Sequence, residues 1–412
     1  MKNPPPAHRS ATLDAKRELK MARSAHAFVR GSTDQFYTWV TTSATTPIPA
    51  GPAVWICGDC HIGNLGPIGH SAGTAVVEMR DLDQTVIGNP AYDILRLALS
   101  LAMAARSSDL PGVTTARLTE DLIAGYENAF EGETVSELID ELPQPIRFVM
   151  KRAVKRTSKR LLDERLGGSR KRFKLGSRFW QLAEDEREAV RQLVEQEPVR
   201  RLITRLEDRD ADAAVRLVDA AFWVKGCSSL GLWRVAALVE FRDAGDHKKS
   251  GGSSLALLDL KQAIEPSAPW APGLNPSLAP GMRVLSGAQR LAPALGSRML
   301  AGKLLDRSVF IRELLPQDLK VELDQIAAAD ARHVAYYLGK VVGRAHRRQM
   351  DGQATREWLA ELAVHRTKNL EAPSWLWTAL VQLVGLHEHA YLEHCRRFAL
   401  AEARRTAPEP PG

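Results

Sequence analysis

The chain has 412 residues, 44% of them hydrophobic and 25% charged, with a formal net charge of +7. That balance excludes a disordered or fibrous chain and predicts a globular protein with a sizeable core, while only four cysteines (Cys57, Cys60, Cys227, Cys395) exclude a disulfide framework. The positive charge favours anionic ligands, nucleotides included, without singling out nucleic acid.

The opening residues, MKNPPPAHRSATLDAKRELK, lack the apolar stretch of a secretory signal. No apolar run approaches the ~20 residues of a membrane span, so a cytoplasmic location is expected. Residues 12–41 read as helical and contain the phrase Phe28-Val29-Arg30-Gly31. Ala53–Cys57 and Thr74–Met79 are strand-like apolar runs, each leading into a polar, acidic phrase. Asp93–Ala105 (DILRLALSLAMAA) predicts a buried helix, and residues 114–210 read as helical almost throughout, with charged faces. Within them Arg147–Lys174 is the densest basic stretch, with Lys151, Arg152, Lys155, Arg156, Lys159 and Arg160 at helical spacing. A solvated helix face is the first reading and a surface for an anionic substrate or nucleic acid the sharper one. The lack of interleaved aromatic residues weakens the nucleic-acid version.

The pattern changes near residue 222. Phe222–Lys225 leads into Gly226-Cys-Ser-Ser-Leu-Gly231, then a strand-like run over Leu232–Phe241. Residues 242–253 carry a loop signal and Leu255–Lys261 is another strand, which together predict an antiparallel hairpin sheet. Pro266–Pro280 reads as a surface excursion, 283–296 as helix, Ser308–Leu314 as strand, and 320–346 and 354–405 as helices before a frayed tail.

Three phrases carry chemistry. Gly58-Asp59-Cys60-His61-Ile62-Gly63-Asn64 follows a strand, and an acid and an amide five residues apart suit phosphoryl transfer: Asp59 orients the attacking hydroxyl and the Asn64 carbonyl oxygen ligates Mg²⁺. Asp81-Leu-Asp83 follows the second strand, and residues two apart in extended chain share a face, so both carboxylates suit a hard cation. Gly226, Ser228, Ser229 and Gly231 form a turn whose backbone N–H groups and hydroxyls can close over phosphate oxygens. Lys261 strengthens this third phrase, because a lysine among Leu255, Leu257, Leu258 and Leu260 is costly unless its charge meets a partner.

These phrases resemble the catalytic and metal-binding loops of aminoglycoside and choline phosphotransferases, in which a catalytic-loop Asp and Asn are followed by an acidic metal phrase and then by G-D-P-x-x-D. On that resemblance Asp59 falls on the catalytic base, Asn64 on a Mg²⁺ ligand, Asp81 on the principal metal ligand and Asp83 on the acid two later. Asp93 falls on the structural acid that opens the next helix, read as its N-cap. The chain also resembles a bacterial family, the domain of unknown function 2252 family, through phrases spread over about residues 21–348: F-V-R-G-S, C-G-D-C-H-I-G-N-L-G, R-D-L-D-Q-T, Y-D-I-L-R-L-A-L-S-L, G-C-S-S-L-G-L-W-R, L-D-L-K-Q-A and G-R-A-H-R-R. That second resemblance implies no activity.

In ordinary kinases the Gly-rich loop and its Lys precede the catalytic loop, whereas here they follow it. The helix ending in Gly343-Arg-Ala-His346 resembles the one that normally comes just before the catalytic loop. One circular permutation explains both. The expected fold is therefore α+β, a kinase-like two-lobe fold: a helical catalytic lobe over 1–210, a small antiparallel sheet over 211–318 carrying the Gly-rich loop and Lys261, and helices over 319–412 completing the first lobe. No helix Glu stands ready to pair with Lys261, and Gln289 is the candidate substitute.

Competing readings are weaker. Cys57-Gly-Asp-Cys60-His61 matches a haem-attachment pattern, which requires export; a structural zinc needs four ligands, and no second pair completes the set. His61 is expected to hold the loop by hydrogen bonding. Arg30 could clamp a phosphate, although a structural salt bridge is the commoner role, and a structural role is expected for His346 too. The sequence thus predicts an ATP- and Mg²⁺-dependent phosphotransferase acting on a hydroxyl of an unidentified, small-molecule acceptor. A nucleotide-binding pseudokinase and an AMP-transferring enzyme are the alternatives.

Overall fold

The structure, a computed structural model, describes residues 4–42, 47–70, 74–108, 110–132, 142–167, 171–205, 209, 213–242, 254–274, 277–319, 328–364, 366 and 372–406. Of the loop predicted at 242–253, Arg242 ends a strand and 243–253 lie outside them, as do residues 320–327 of the helix expected from 320.

Three helices, α1 (Arg9–Met21), α2 (Ala25–Gly31) and α3 (Thr33–Thr42), precede two small antiparallel ribbons. Ser24 caps α2, its hydroxyl accepting from the Ala27 N–H at 3.1 Å. In the first ribbon β1 (Val54–Ile56) pairs with a later strand, Val86–Gly88; in the second β2 (Leu65–Gly69) pairs with β3 (Ala75–Met79). We number the Val86–Gly88 strand β4. The sequence reading missed β2, whose Leu-Gly-Pro-Ile-Gly composition carries turn rather than strand signals. The apolar run beginning at Asp93 forms the helix α4 (Ala91–Ser107), buried on nearly every face. It lies at the centre of the helical core, beside α5 (Gly112–Asn128).

Residues 114–210 are not helical throughout. The helices α6 (Gln144–Val154), α7 (Ser158–Leu166), α8 (Glu184–Glu195) and α9 (Glu197–Thr204) are interrupted by a short strand, β5 (Phe179–Trp180). β5 joins the edge of a six-stranded antiparallel sheet with β6 (Ala214–Trp223), β7 (Arg234–Arg242), β8 (Ser254–Gln262), β9 (Met299–Leu304) and β10 (Arg307–Glu313), in the order β5-β6-β7-β8-β10-β9. The sheet therefore begins before residue 211, the sequence-based boundary. Its β7 reads as one apolar run because both faces are covered. Val235, Ala237 and Val239 pack on one side with Val190, Leu193 and Ile203 of α8 and α9, while Ala236 and Leu238 pack on the other with Leu161 and Leu166 of α7.

Between β8 and β9 run α10 (Pro280–Leu291) and the short α11 (Pro293–Gly296). The chain closes with α12 (Ala328–Arg347), which packs along α5, then α13 (Gly352–Ala363) and α14 (Ser374–Thr406), whose side contacts α2 and α4. The chain is thus mixed α+β with antiparallel sheets. Both chain ends contribute to the helical core, through α4 and α5 on one side and α12 and α14 on the other. No helix among the described residues is long and apolar enough to cross a membrane.

Candidate active site

The loop Gly58–Asn64 leaves β1 and is held from below by Asp93. This side chain does not cap α4. It lies in the first turn, and its carboxylate accepts from the backbone N–H of Cys57 at 2.7 Å and of Gly58 at 3.0 Å. His346 of α12 approaches the same carboxylate, Nε2 to Oδ2 at 3.1 Å, and its other ring nitrogen lies 3.0 Å from the Tyr126 hydroxyl. The expected structural role of His346 stands, and the N-cap reading of Asp93 is corrected: a residue two positions inside a helix has its carboxylate free to reach sideways. Gly58 sits at φ 75°, and a Cβ there would lie 2.1 Å from the Gln84 carbonyl oxygen, so both conformation and space require glycine.

Asp59, buried, points into a cleft. Arg96 of α4, fully buried, donates to its Oδ1 from Nε and Nη2, both at 3.0 Å. Burial pushes the Asp59 carboxyl above its ordinary value, with Arg96 opposing. His61 lies nearby, Nε2 3.9 Å from Asp59 Oδ2, and lines the same cleft. Burial, with Arg30 and Arg96, holds its pKa well below the usual range, so the imidazole is neutral. Its Nδ1 is buried without a partner among the described residues.

Asn64 stitches this loop to the next acidic phrase. Its amide nitrogen donates to the carbonyls of Asp81 (2.6 Å) and Asp59 (3.2 Å), and its Oδ1 accepts from the Asp81 N–H (2.6 Å). The amide therefore fixes the relative position of the Asp59 and Asp81 loops.

Across the cleft stands the sheet. Lys261 on β8, almost fully buried, ion-pairs with Asp83 and lies 3.4 Å from Asp81 Oδ1. This is the partner that the sequence left open. Gln289 is not that partner: it is exposed on α10. The same helix instead sends Arg283 inward, where it donates to the carbonyls of Thr85, Asp83 (2.8 Å) and Ile264 (2.8 Å). Asp81 remains half open to the cleft, its side chain 53% exposed. Partial burial pushes its carboxyl up, but Lys261, Arg234 and Arg312 outweigh that and hold it well below the carboxylate range. Burial lowers the Lys261 ammonium, against the pull of Asp81.

The turn after β6 closes the cleft with Gly226, Cys227, Ser228 and Ser229. Gly226 sits at φ 111°, and Lys20 of α1 donates to its carbonyl at 2.8 Å. Gly231 does not line this cleft; it faces a neighbouring one bordered by α1. Arg30 lines the cleft and forms no ion pair among the described residues, so the structural salt bridge is not its role.

Sequence reasoning missed Arg96, Arg80, Lys225, Arg234, Arg312 and Asp259. Asp259, fully buried on β8, takes Arg234 (2.5 Å) and Arg312 (3.0 Å) together and aligns their guanidinium groups along the cleft. The signal that singled out Lys261, a charge inside an apolar run, was present at Asp259, Arg96 and Arg312 as well.

A divalent cation can be tested against this donor set. Asp81 and Asp83 converge on one ammonium, and Asp83 Oδ1 is buried without a hydrogen-bond partner among the described residues. Those residues contain no cluster of three or more His, Cys, Asp or Glu that would cage an ion alone. Two carboxylates with an unfilled lone pair fit Mg²⁺, which takes one or two carboxylates and completes its shell with water and phosphate oxygens.

The model of the family described as "Uncharacterized protein conserved in bacteria (DUF2252)" matches residues 9–397. The chain belongs to that family. Neither a curated protein nor a solved structure matches it.

Proposed function

We propose that this family member binds ATP with Mg²⁺ and transfers the γ-phosphoryl group to a hydroxyl of a small molecule. The observation that carries the reading is the convergence of Asp59, Asn64, Asp81, Asp83, Lys261 and the Gly226–Ser229 turn on one site, although they come from three distant stretches of chain. Unrelated loop acids have no reason to meet a buried lysine and a Gly-Ser turn there.

The order of strands supports the kinase-like part. The Gly-Ser turn joins β6 to β7, Lys261 lies on the following strand, and a helix separates that strand from the last two. In protein kinases the Gly-rich loop likewise covers the phosphates and the lysine stands on the third strand. Here these parts follow the Asp59–Asn64 loop, the order that a circular permutation of a kinase-like fold would give.

In this mechanism Asp59 accepts the proton of the attacking hydroxyl. Arg96 fixes one carboxylate oxygen, and the raised basicity of the buried acid favours proton acceptance. The hydroxyl oxygen forms its bond to the γ-phosphorus as the bond to the bridging oxygen breaks, and ADP leaves. Asp81 and Asp83 would hold Mg²⁺, which neutralises charge on the phosphates. Lys261 and Arg30 would supply positive charge to the phosphate oxygens. Asn64 positions the two loops, since its Oδ1 already accepts backbone hydrogen bonds.

One observation favours the non-catalytic alternative: with Lys261 held by the metal acids, nucleotide binding must break an existing ion pair. Turnover decides. With ATP·Mg²⁺ at ~100 times its dissociation constant, wild type should gain roughly 2.7 kcal/mol of native stability. Asp81→Asn should lose that gain. Asp59→Asn should keep it while ending phosphate transfer, and full turnover in Asp59→Asn would remove the base assignment. Wild type that binds without turnover is a pseudokinase, and a target gaining AMP mass is a nucleotidyl-transfer product.

A further inference from the structure

A second cavity of about 440 Å³ adjoins the cleft and shares the walls formed by Arg80, Lys225 and Arg312. It opens between the ends of β6 and β10 and is flanked by α6 and α7, the basic stretch whose solvated face was the first sequence reading. That reading holds for Lys151, Lys155, Lys159 and Arg160, which are exposed and do not line it. Arg152 of α6, Arg156 of the connection between the two helices and Arg165 of α7 do line it, and Arg178 joins them.

The cavity holds far more positive than negative charge. Its two acids are committed: Glu164 pairs with Arg156, and Asp318 pairs with Arg298 at 2.5 Å. Arg80, Arg165, Arg178 and Lys225 form no ion pair among the described residues, and the Nε atoms of Arg80 and Arg165 are buried without any acceptor. The crowding has an electrostatic cost. Burial, then the neighbouring Arg178 and Arg156, lowers the Arg165 guanidinium; burial and Arg234 push Lys225 well below its usual range. The lining also includes the apolar side chains of Leu161, Val224, Leu314 and Leu315, and Trp223, over whose ring Arg165 and Lys225 lie.

We infer that this cavity binds a phosphate-bearing small molecule, the phosphate meeting Arg165 and Arg178 and the organic part lying against Val224 and Leu315. On the phosphotransferase reading, on which this last step rests, the molecule is the acceptor, its hydroxyl directed through the shared wall toward Asp59. A phosphate suits the site better than a carboxylate because several guanidinium forks surround it and a dianion compensates more than one. A neutral base would leave the arginines uncompensated. The volume lies within the usual range for small-molecule sites.

The test uses glucose 6-phosphate, glucose, inorganic phosphate and adenosine as probes, with binding followed by calorimetry. Wild type should bind glucose 6-phosphate well above glucose and above inorganic phosphate. The double variant Arg165→Leu/Arg178→Leu should lose about tenfold or more in that affinity, and Arg165→Lys should recover part of it. Both should keep the response to ATP·Mg²⁺, which also reports that they fold. Unchanged affinity in the double variant overturns the site. Inorganic phosphate binding as tightly as the sugar phosphate overturns the small-molecule part, and displacement of glucose 6-phosphate by adenosine overturns the assignment in favour of a nucleoside seat. Failure of the phosphotransferase reading looks different: wild type then ignores ATP·Mg²⁺ yet still binds glucose 6-phosphate.

Discussion

The two sides of the cleft hold their charges in opposite ways. On the helical side the groups that hold the loops are engaged before any ligand arrives: Arg96 grips Asp59, Asn64 ties two loops together, and Asp93 takes two backbone N–H groups and His346. On the sheet side Asp259 settles Arg234 and Arg312, but Lys225, with Arg165 and Arg178 beyond it, stands without a carboxylate among the described residues. The first arrangement fixes geometry and the second leaves positive charge uncompensated. Damage to the helical side should therefore appear in the free protein, whereas damage to the sheet side should appear in its response to anions.

The largest effect is expected at Asp93. Its carboxylate is fully buried and holds the Cys57 and Gly58 N–H groups and His346 at once. Asp93→Ala leaves all three unpaired in the interior, which should cost about 3–5 kcal/mol in urea denaturation of the free protein. A loss below about 1 kcal/mol would break the contrast, because the helical side would then not depend on its network.

Glu78 on β3 sharpens the contrast through pH. It is buried beneath α11, accepts from the Ala294 N–H at 3.1 Å, and burial raises its pKa to about 7 despite Arg348. The folded value lies above the ordinary 4.5. The stabilising contribution is therefore complete below pH 4.5 and is lost as pH rises through 7. The native state should weaken by a few kcal/mol at most between about pH 5 and 8. Glu78→Gln should flatten that slope, and equal slopes in the two proteins would return Glu78 to an ordinary acid.

The same contrast explains what was legible in the sequence. Asp59, Asn64, Asp81 and the Gly226–Ser229 turn could be singled out because each stands in a short local phrase, and the structure brings those phrases to one cleft. The apolar runs announced β1, β3, β7, β8 and α4 because burial leaves a pattern in hydropathy. The strands β2, β5 and β9 were invisible: β2 is rich in Gly and Pro, β5 has two residues, and β9 (MLAGKL) pairs with β10 across a tight turn at Leu305 and Asp306, both at positive φ. Those strands are specified by their neighbours rather than by their own propensity. The partners of charged groups were equally hidden. Asp83 and Lys261 are 178 positions apart, and nothing local in either phrase says that they meet.

Gln289 supplies the smallest effect and the narrowest test. The kinase analogy asks for a helix residue facing Lys261, and Gln289 on α10 was the candidate. The helix is present and packs against β9, β10 and β1, but its inward residue is Arg283, whose guanidinium holds the backbone carbonyls of Asp83 and Thr85. Gln289 faces solvent. This helix therefore holds the Asp83 loop through its backbone and does not reach Lys261. Gln289→Ala should change stability by no more than about 0.5 kcal/mol and leave the thermal response to ATP·Mg²⁺ as in wild type. A weakened response in that variant would mean that α10 rotates toward Lys261 when nucleotide binds, which would make the sheet side a moving part and not only a store of charge.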